Sequence, residues 1–286
     1  MKRRLWERIA FLHPLRKAQK PESNTVDVRQ LFRVYGKLGS AFNRAVRIVP
    51  VVLVYLFLFL TLSLFFGLPY VPRRSGSSEV LDIGVTVLSV LALMALLFFV
   101  VDAARLCKKF IEILQEQPST WPDKLFDSCG SDPEADNNPM IEWFDIQMIA
   151  KLTETVGQLV IYPFIIIFIM IIARNSFFDD WDWPLSLILV FVANGAYAIY
   201  SGIMLRRAAE AAREKALDRL NEKLIKVQEE WYGSPKAAKI RTTIEQIKTI
   251  EKGTFAPWSK HPLVGAILIP FGGSGLMALV QYLAQR

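Results

Sequence analysis

A row of polar side chains runs along one face of the last of four long apolar stretches in the sequence. The polar residues of this row, at helical spacing, are Asn194, Tyr197 and Ser201. A pair of small residues, Ala198 and Gly202, lies one step round the helix. In membrane bundles such rows bring helices close together and bond across them. The same row can line a water-filled pathway in an oligomer. The pattern favours packing and leaves the pathway open as a second interpretation.

Carboxyl and amide groups mark the ends of two other apolar stretches. Asp102 follows the second stretch directly, whereas Glu154 and Gln158 flank the start of the third, with Tyr162 on the same face. Charged residues at such ends usually lie at the level of the lipid headgroups. In an oligomer, Asp102, Glu154 and Gln158 could instead form a polar ring at a pore mouth, where carboxylates favour cations.

The third stretch also contains two residues that disturb helices. Gly157 and Pro163 lie six positions apart within it. Proline removes a backbone hydrogen bond and kinks a helix, so we predict a kink at this place. Both residues are candidates for a gate hinge, although proline is also frequent in membrane helices that have no such role.

No residue pattern predicts catalysis, a cofactor or a metal. The chain lacks the glycine-rich nucleotide motifs, the nucleophile elbow and the zinc-protease motif, so we expect no catalytic residues and no enzyme. The two cysteines and two histidines are far apart in sequence, which leaves no metal-ligand set. The net charge of +7 has no accompanying basic-aromatic motif, so nucleic acid is not an expected partner.

The four apolar stretches define the fold class. None contains Asp, Glu, Lys or Arg, and they cover residues 48–68, 83–101, 156–173 and 185–205. A helix of about 20 residues crosses the roughly 30 Å hydrocarbon core of a bilayer. We therefore predict an all-α, polytopic membrane helix bundle with four spans and a lipid bilayer around it.

The positive charges predict the orientation of these spans. Lys and Arg number 12 in residues 1–47, five in 102–155 and 13 in 206–262, against two in 69–82 and one in 174–184. Cytoplasmic segments carry this excess in membrane proteins. We expect the N-terminus and the two other rich segments to be cytoplasmic, in the plasma membrane or, for a bacterial protein, its inner membrane.

Two of the spans continue as helices outside the bilayer. The helical pattern of the second span runs on to just before Pro118, and that of the fourth runs to Trp231. Another helix restarts near Met140 and enters the third span. A helix over 235–251, with Ser234 as N-cap and proline in its first turn, completes a predicted αα-hairpin.

These patterns divide the chain into six segments. They are a basic amphipathic region (1–47), the first two spans with a short outer loop (48–101), an acidic helix–loop–helix (102–155), the third and fourth spans (156–205), a charged helical hairpin (206–262) and an apolar C-terminal segment (263–286). Proline and a Gly-Gly-Ser-Gly run interrupt the last segment. A re-entrant, interfacial or bundle-capping position suits it better than a crossing of the membrane.

The predicted architecture resembles that of several oligomeric channels, bestrophins among them, in shape alone. It implies a homo-oligomeric channel or pore gated by its cytoplasmic helical domain, as in a bacterial defence effector, with a cytosolic protein or a small molecule as the gating partner. A conducting path would then lie on a symmetry axis, because four helices enclose little volume. The alternative is a non-conducting membrane scaffold that recruits a cytosolic partner through the charged hairpin.

Overall fold

The computed structural model describes residues 25–66, 76–122, 125–126, 139–173, 185–230, 234–257, 259 and 264–265. The first half of the N-terminal region and nearly all of the C-terminal segment 263–286 lie outside the described residues. The chain divides into two compact units. We call residues 41–105, 155–204 and 257–286 the membrane unit, and residues 1–40, 106–154 and 205–256 the charged unit.

The structure is all-α, as predicted. Its helices are α1 (Val28–Leu38), α2 (Ala41–Phe66), α3 (Gly76–Glu116), α4 (Met140–Leu159), α5 (Ile161–Ala173), α6 (Leu185–Glu230) and α7 (Pro235–Lys248), followed by one 3-10 turn (Gly253–Phe255). Two short strands, β1 (Val26–Asp27) and β2 (Ser119–Thr120), pair in parallel. The helices α2, α3, α4 with α5, and α6 contain four candidate membrane spans, which confirms the prediction.

The helix ends follow local sequence signals. The Asp27 carboxylate caps α1 by accepting from the Arg29 amide at 2.9 Å. Helix α3 ends at Glu116, two residues before Pro118, as the sequence predicted. Ser234 caps α7 and accepts from the Lys236 amide at 3.2 Å, with proline in the first helical position.

Helix α3 forms the core of the membrane unit. Within the described part of the chain, the apolar stretch of α3 has the largest buried share of the four candidate spans, 44%, and that of α2 has the smallest, 17%. Side chains of α3 pack against α5 and α6 in two apolar clusters. One contains Leu97, Val100, Val101, Phe164 and Ala198, and the other contains Leu93, Ile167 and Phe191. The spans are thus held together by ordinary apolar contacts.

The third span is interrupted at Val160, between α4 and α5. Pro163 has no amide hydrogen, so the carbonyl of Leu159 loses the donor that a continuous helix would supply. Just before Pro163, the Val160 amide donates to the carbonyl of Gly157, three residues back, at 3.3 Å, which is the pattern of a tighter, 3-10-like turn. The interruption therefore lies between the two residues that the sequence analysis named as hinge candidates.

The charged unit has its own core. Phe110 is fully buried, and its ring contacts the ring of Tyr35 edge-on, at 5.3 Å between centroids. This contact joins α1 to the C-terminal part of α3. In α7 the predicted apolar face is buried, with Ile240, Ile244 and Ile247 at its centre. The guanidinium of Arg213 on α6 donates to the Lys248 carbonyl at the end of α7, and the two helices form the predicted αα-hairpin.

The 3-10 turn of the charged unit lies close against α4. Gly253 has φ +61°, in the left-handed region that favours glycine. A Cβ at this position would stand 2.3 Å from the Ala150 carbonyl oxygen and 2.6 Å from Thr153 Oγ1. The next amide, of Thr254, donates to the same Thr153 hydroxyl at 3.3 Å.

We expect Gly253→Ala to destabilise the protein by at least about 2 kcal/mol, because it adds left-handed strain to a backbone clash. Unfolding by denaturant in detergent micelles measures this loss. Gly36→Ala is the control, since a Cβ there meets nothing within 4 Å and α1 should gain slightly in stability. Equal stabilities of the two variants would contradict the expectation.

Candidate functional site

The polar row of the fourth span faces the interior of the membrane unit. Asn194 is 1% exposed, and its Oδ1 accepts from the Tyr55 hydroxyl of α2 at 2.8 Å. The Ser201 hydroxyl donates to the Ala198 carbonyl of its own helix at 2.8 Å. Ala198 and Gly202 are both buried. Within one chain, these residues make the contacts expected of helix packing.

Tyr197, the remaining member of the row, contacts α3. Its hydroxyl accepts from the Arg105 guanidinium at 2.5 Å. The ring of Phe98 lies between two tyrosine rings, 5.5 Å from that of Tyr55 and 6.1 Å from that of Tyr197, both edge-on. Polar and aromatic contacts thus connect α2, α3 and α6. The sequence analysis did not single out Tyr55 or Arg105, and the only signal for Tyr55 was that it is the one tyrosine of its stretch.

A cavity of about 410 Å³ lies beside these contacts. Its walls come from three helices, and its lining residues are Val51, Val54, Tyr55, Leu58, Leu97, Phe98, Ala193, Asn194 and Tyr197. The Nδ2 group of Asn194 is buried and has no hydrogen-bond partner among the described residues. An amide donor in such a place is costly, because burial has removed its water.

An ion pair joins α2 and α3 at one end of their uncharged stretches. The guanidinium of Arg47 donates through Nε to Asp102 Oδ1 at 3.0 Å and through Nη2 to Oδ2 at 2.7 Å. The two side chains are only 12% and 16% exposed. Asp102, a pore-mouth candidate, therefore has its charge balanced within the chain. The second candidate, Glu154, is half-buried and belongs to the charged unit.

The third span carries a polar face on its outside. Thr155, Gln158 and Tyr162 stand at spacing i, i+3 and i+7, and all three are exposed. Tyr162 is 51% exposed, and farther along the same face Ile169 is 56% exposed. Gly157 and Pro163 are buried on the other side of the helix. Since hydrocarbon cannot hydrogen-bond an exposed amide, this face is unsuited to contact with lipid alone.

Two buried carboxylates lie in the charged unit, on the part of α4 that precedes the uncharged stretch 156–173. Asp145 is 4% exposed and accepts from the Ser119 hydroxyl at 2.7 Å and from the Trp121 ring nitrogen at 2.8 Å. Glu142 contacts the Arg219 guanidinium at 2.9 Å. The sequence analysis noted the acidic character of this segment but could not identify which acids are buried.

Burial changes the proton affinity of both groups. It raises the pKa of Asp145 to about 7, although the hydrogen bonds from Ser119 and Trp121 act in the opposite direction. It also raises the pKa of Glu142, against the lowering effect of the Arg219 and Lys223 charges. No group of three or more His, Cys, Asp or Glu side chains in the described ranges is arranged to hold a metal ion.

These observations define a polytopic α-helical membrane protein, with polar contacts inside its membrane unit and a polar face on its third span. Comparison with known proteins did not assign the chain to a family: no family model, no curated protein and no solved structure matches it.

Proposed function

We propose that the protein is an oligomeric membrane channel whose conducting path runs along a symmetry axis lined by the third span. The observation that carries this proposal is the exposed face of Thr155, Gln158 and Tyr162 on a helix that otherwise suits lipid. A glutamine amide at such a place is stabilised by water or by a neighbouring subunit and not by acyl chains.

The position of the other polar residues supports an axis outside the single chain. Asn194 and Ser201 bond within the membrane unit, so the row of the fourth span is occupied by packing contacts. A closed symmetric assembly places the same helix of each subunit around one axis. The apolar end of the face, at Ile169, suits a constriction that gates by excluding water.

The gating part of the proposal rests on the helices and on the interrupted third span. Helices α3 and α6 each contribute residues to both units, and a partner that binds the charged unit can bias them. The interruption at Val160, between Gly157 and Pro163, offers a hinge beside the polar face. The excess of Lys and Arg in the charged unit supports a cytoplasmic position for it and for the N-terminus.

Cysteine modification tests the proposed lining. The background is Cys129→Ser, and the remaining cysteine, Cys107, is fully buried. In planar bilayers we expect Gln158→Cys channels to lose more than about half of their current when a positively charged, membrane-impermeant methanethiosulfonate is added. The reason is that the attached positive charge repels permeating cations at close range. Val192→Cys is the control, since Val192 is 64% exposed on α6 and should face lipid.

Three results would contradict the channel: a monomer in micelles and in nanodiscs, an oligomer without current, or equal effects of the reagent at positions 158 and 192. The second of these results would favour the scaffold.

One observation supports the scaffold as an alternative function. The exposed face of α7 carries four bases and one acid: Lys236, Lys239, Arg241 and Lys248, with Glu245. Such a surface fits an acidic cytosolic partner.

A further inference from the structure

The cavity between α2, α3 and α6 has the features of a ligand site. Its volume of about 410 Å³ falls within the range of small-molecule pockets. Most of its wall is aliphatic or aromatic, and the buried Nδ2 group of Asn194 has no acceptor among the described residues. We propose that this cavity binds an uncharged, bilayer-dissolved molecule that carries a ring carbonyl, the chemistry of an isoprenoid quinone.

The depth of Asn194 restricts what can supply the missing acceptor. At 1.5 Å per residue, Asn194 is about 14 Å along the axis from Leu185, near the middle of the uncharged stretch 185–205. Phospholipid ester oxygens lie near the headgroups, and acyl chains have no acceptor. A water molecule needs two to four polar partners. The Tyr55 hydroxyl donates its proton to Asn194 Oδ1 and the Tyr197 oxygen accepts from Arg105, so besides Asn194 these two hydroxyls offer a water molecule only a lone pair on Tyr55 and the proton of Tyr197.

The shape of the wall favours a flat ring. Tyr55, Phe98 and Tyr197 all line the cavity, and the Phe98 ring is edge-on to the Tyr55 ring at 5.5 Å and to the Tyr197 ring at 6.1 Å. Aromatic walls of this kind bind a planar ring through offset or edge-on contacts. A carbonyl on the ring would accept from Asn194 Nδ2, while the bond from the Tyr55 hydroxyl to Oδ1 fixes the orientation of the amide.

The mouth of the cavity opens toward lipid. Val51, Val54 and Leu58 of α2 line the cavity and are nevertheless 46%, 63% and 51% exposed. A molecule dissolved in the bilayer can therefore enter from the side, with an apolar tail left among the acyl chains. Among the described residues that line the cavity, none is charged, which suits an uncharged ligand.

Direct binding tests this site. The probe is radiolabelled decylubiquinone, added to the full chain in phosphatidylcholine nanodiscs, with empty nanodiscs subtracted. We expect saturable binding of about one molecule per chain, and a loss of affinity of about fivefold or more in Asn194→Leu, the effect of one hydrogen bond. Dodecylbenzene, which has a ring and a chain but no carbonyl, should compete equally in the wild type and in this variant.

A second pair of variants keeps the test independent of any effect of Asn194→Leu on folding. Val54→Trp closes the mouth from an exposed position and should abolish binding, whereas Leu53→Trp, 59% exposed and outside the lining, should not. The site is overturned by absence of saturable binding, by equal decylubiquinone affinities of the wild type and Asn194→Leu, or by unaltered binding in Val54→Trp. None of these outcomes depends on whether the protein conducts ions.

Discussion

Replacing Asp145 by asparagine should stabilise the protein more at pH 8 than at pH 5, by about 2 kcal/mol. The reason is the burial of this carboxylate between Ser119 and Trp121, which raises its pKa from 3.8 to about 7. Between those two values the folded state holds a proton on Asp145 that the unfolded state has released. Folding stability therefore falls as the pH rises through this window and levels off above about pH 7. Asparagine cannot ionise and avoids this loss.

Unfolding free energies of the wild type and Asp145→Asn, measured in micelles at several pH values, check this expectation. The informative quantity is the difference between the two proteins, because groups that do not interact with Asp145 cancel in it. Asp218→Asn, which changes an exposed carboxylate on α6, is the control and should have little effect on stability. A difference for Asp145→Asn that does not vary with pH would show that the burial of Asp145 has no energetic consequence.

The second large effect is expected at the ion pair between α2 and α3. Removing the Arg47 side chain in Arg47→Ala leaves the Asp102 carboxylate, 16% exposed, without its bidentate partner. Loss of one partner from a buried pair costs about 3 kcal/mol, most of it from the uncompensated charge. Resistance to unfolding by SDS or heat in micelles measures the change.

A double-mutant cycle separates this explanation from a simple loss of packing. Asp102→Ala should also destabilise the protein, and the double variant should lose clearly less than the sum of the two single losses, since no unpaired charge remains. Arg207→Ala, at an exposed position on α6, is the control and should have little effect. Additive losses at Arg47 and Asp102 would mean that the two side chains do not stabilise each other.

The ion pair also bears on the proposed channel. With its charge balanced by Arg47, Asp102 is poorly suited to attract cations at a pore mouth. The proposed lining therefore rests on the outer face of the third span, where Gln158 and Tyr162 are exposed. In the proposed assembly, the fourth span serves packing and the cavity beside Asn194, and the third span faces the other subunits.

Much of the fold was predictable because its signals are local. Four uncharged stretches predicted the spans, and apolar residues at helical spacing, among strong helix formers in α6, predicted the extensions of α3 and α6. Pro118 and the Ser234–Pro235 pair predicted helix ends that the structure confirms. The candidate residues of the fourth span were also predictable as a set, since their spacing places them on one face whatever surrounds the helix.

The partners of those residues were not predictable, because helical spacing says which residues share a face and not which helix that face meets. Tyr55 and Asn194 are 139 residues apart in sequence, and Arg47 and Asp102 are 55 apart. The burial of Asp145 likewise depends on Ser119 and Trp121, which come from the segment after α3.

By itself, the sequence determined which segments are apolar enough to span a bilayer and where helices begin and end. It could do so because hydropathy, charge and capping act over a few residues. Only the tertiary structure decided that the polar row packs inward, that Asp102 is paired and that Asn194 lines a cavity with an unused donor. The physical reason is that a polar side chain in an apolar medium is satisfied by whichever helix packs against it, and that choice belongs to the whole bundle.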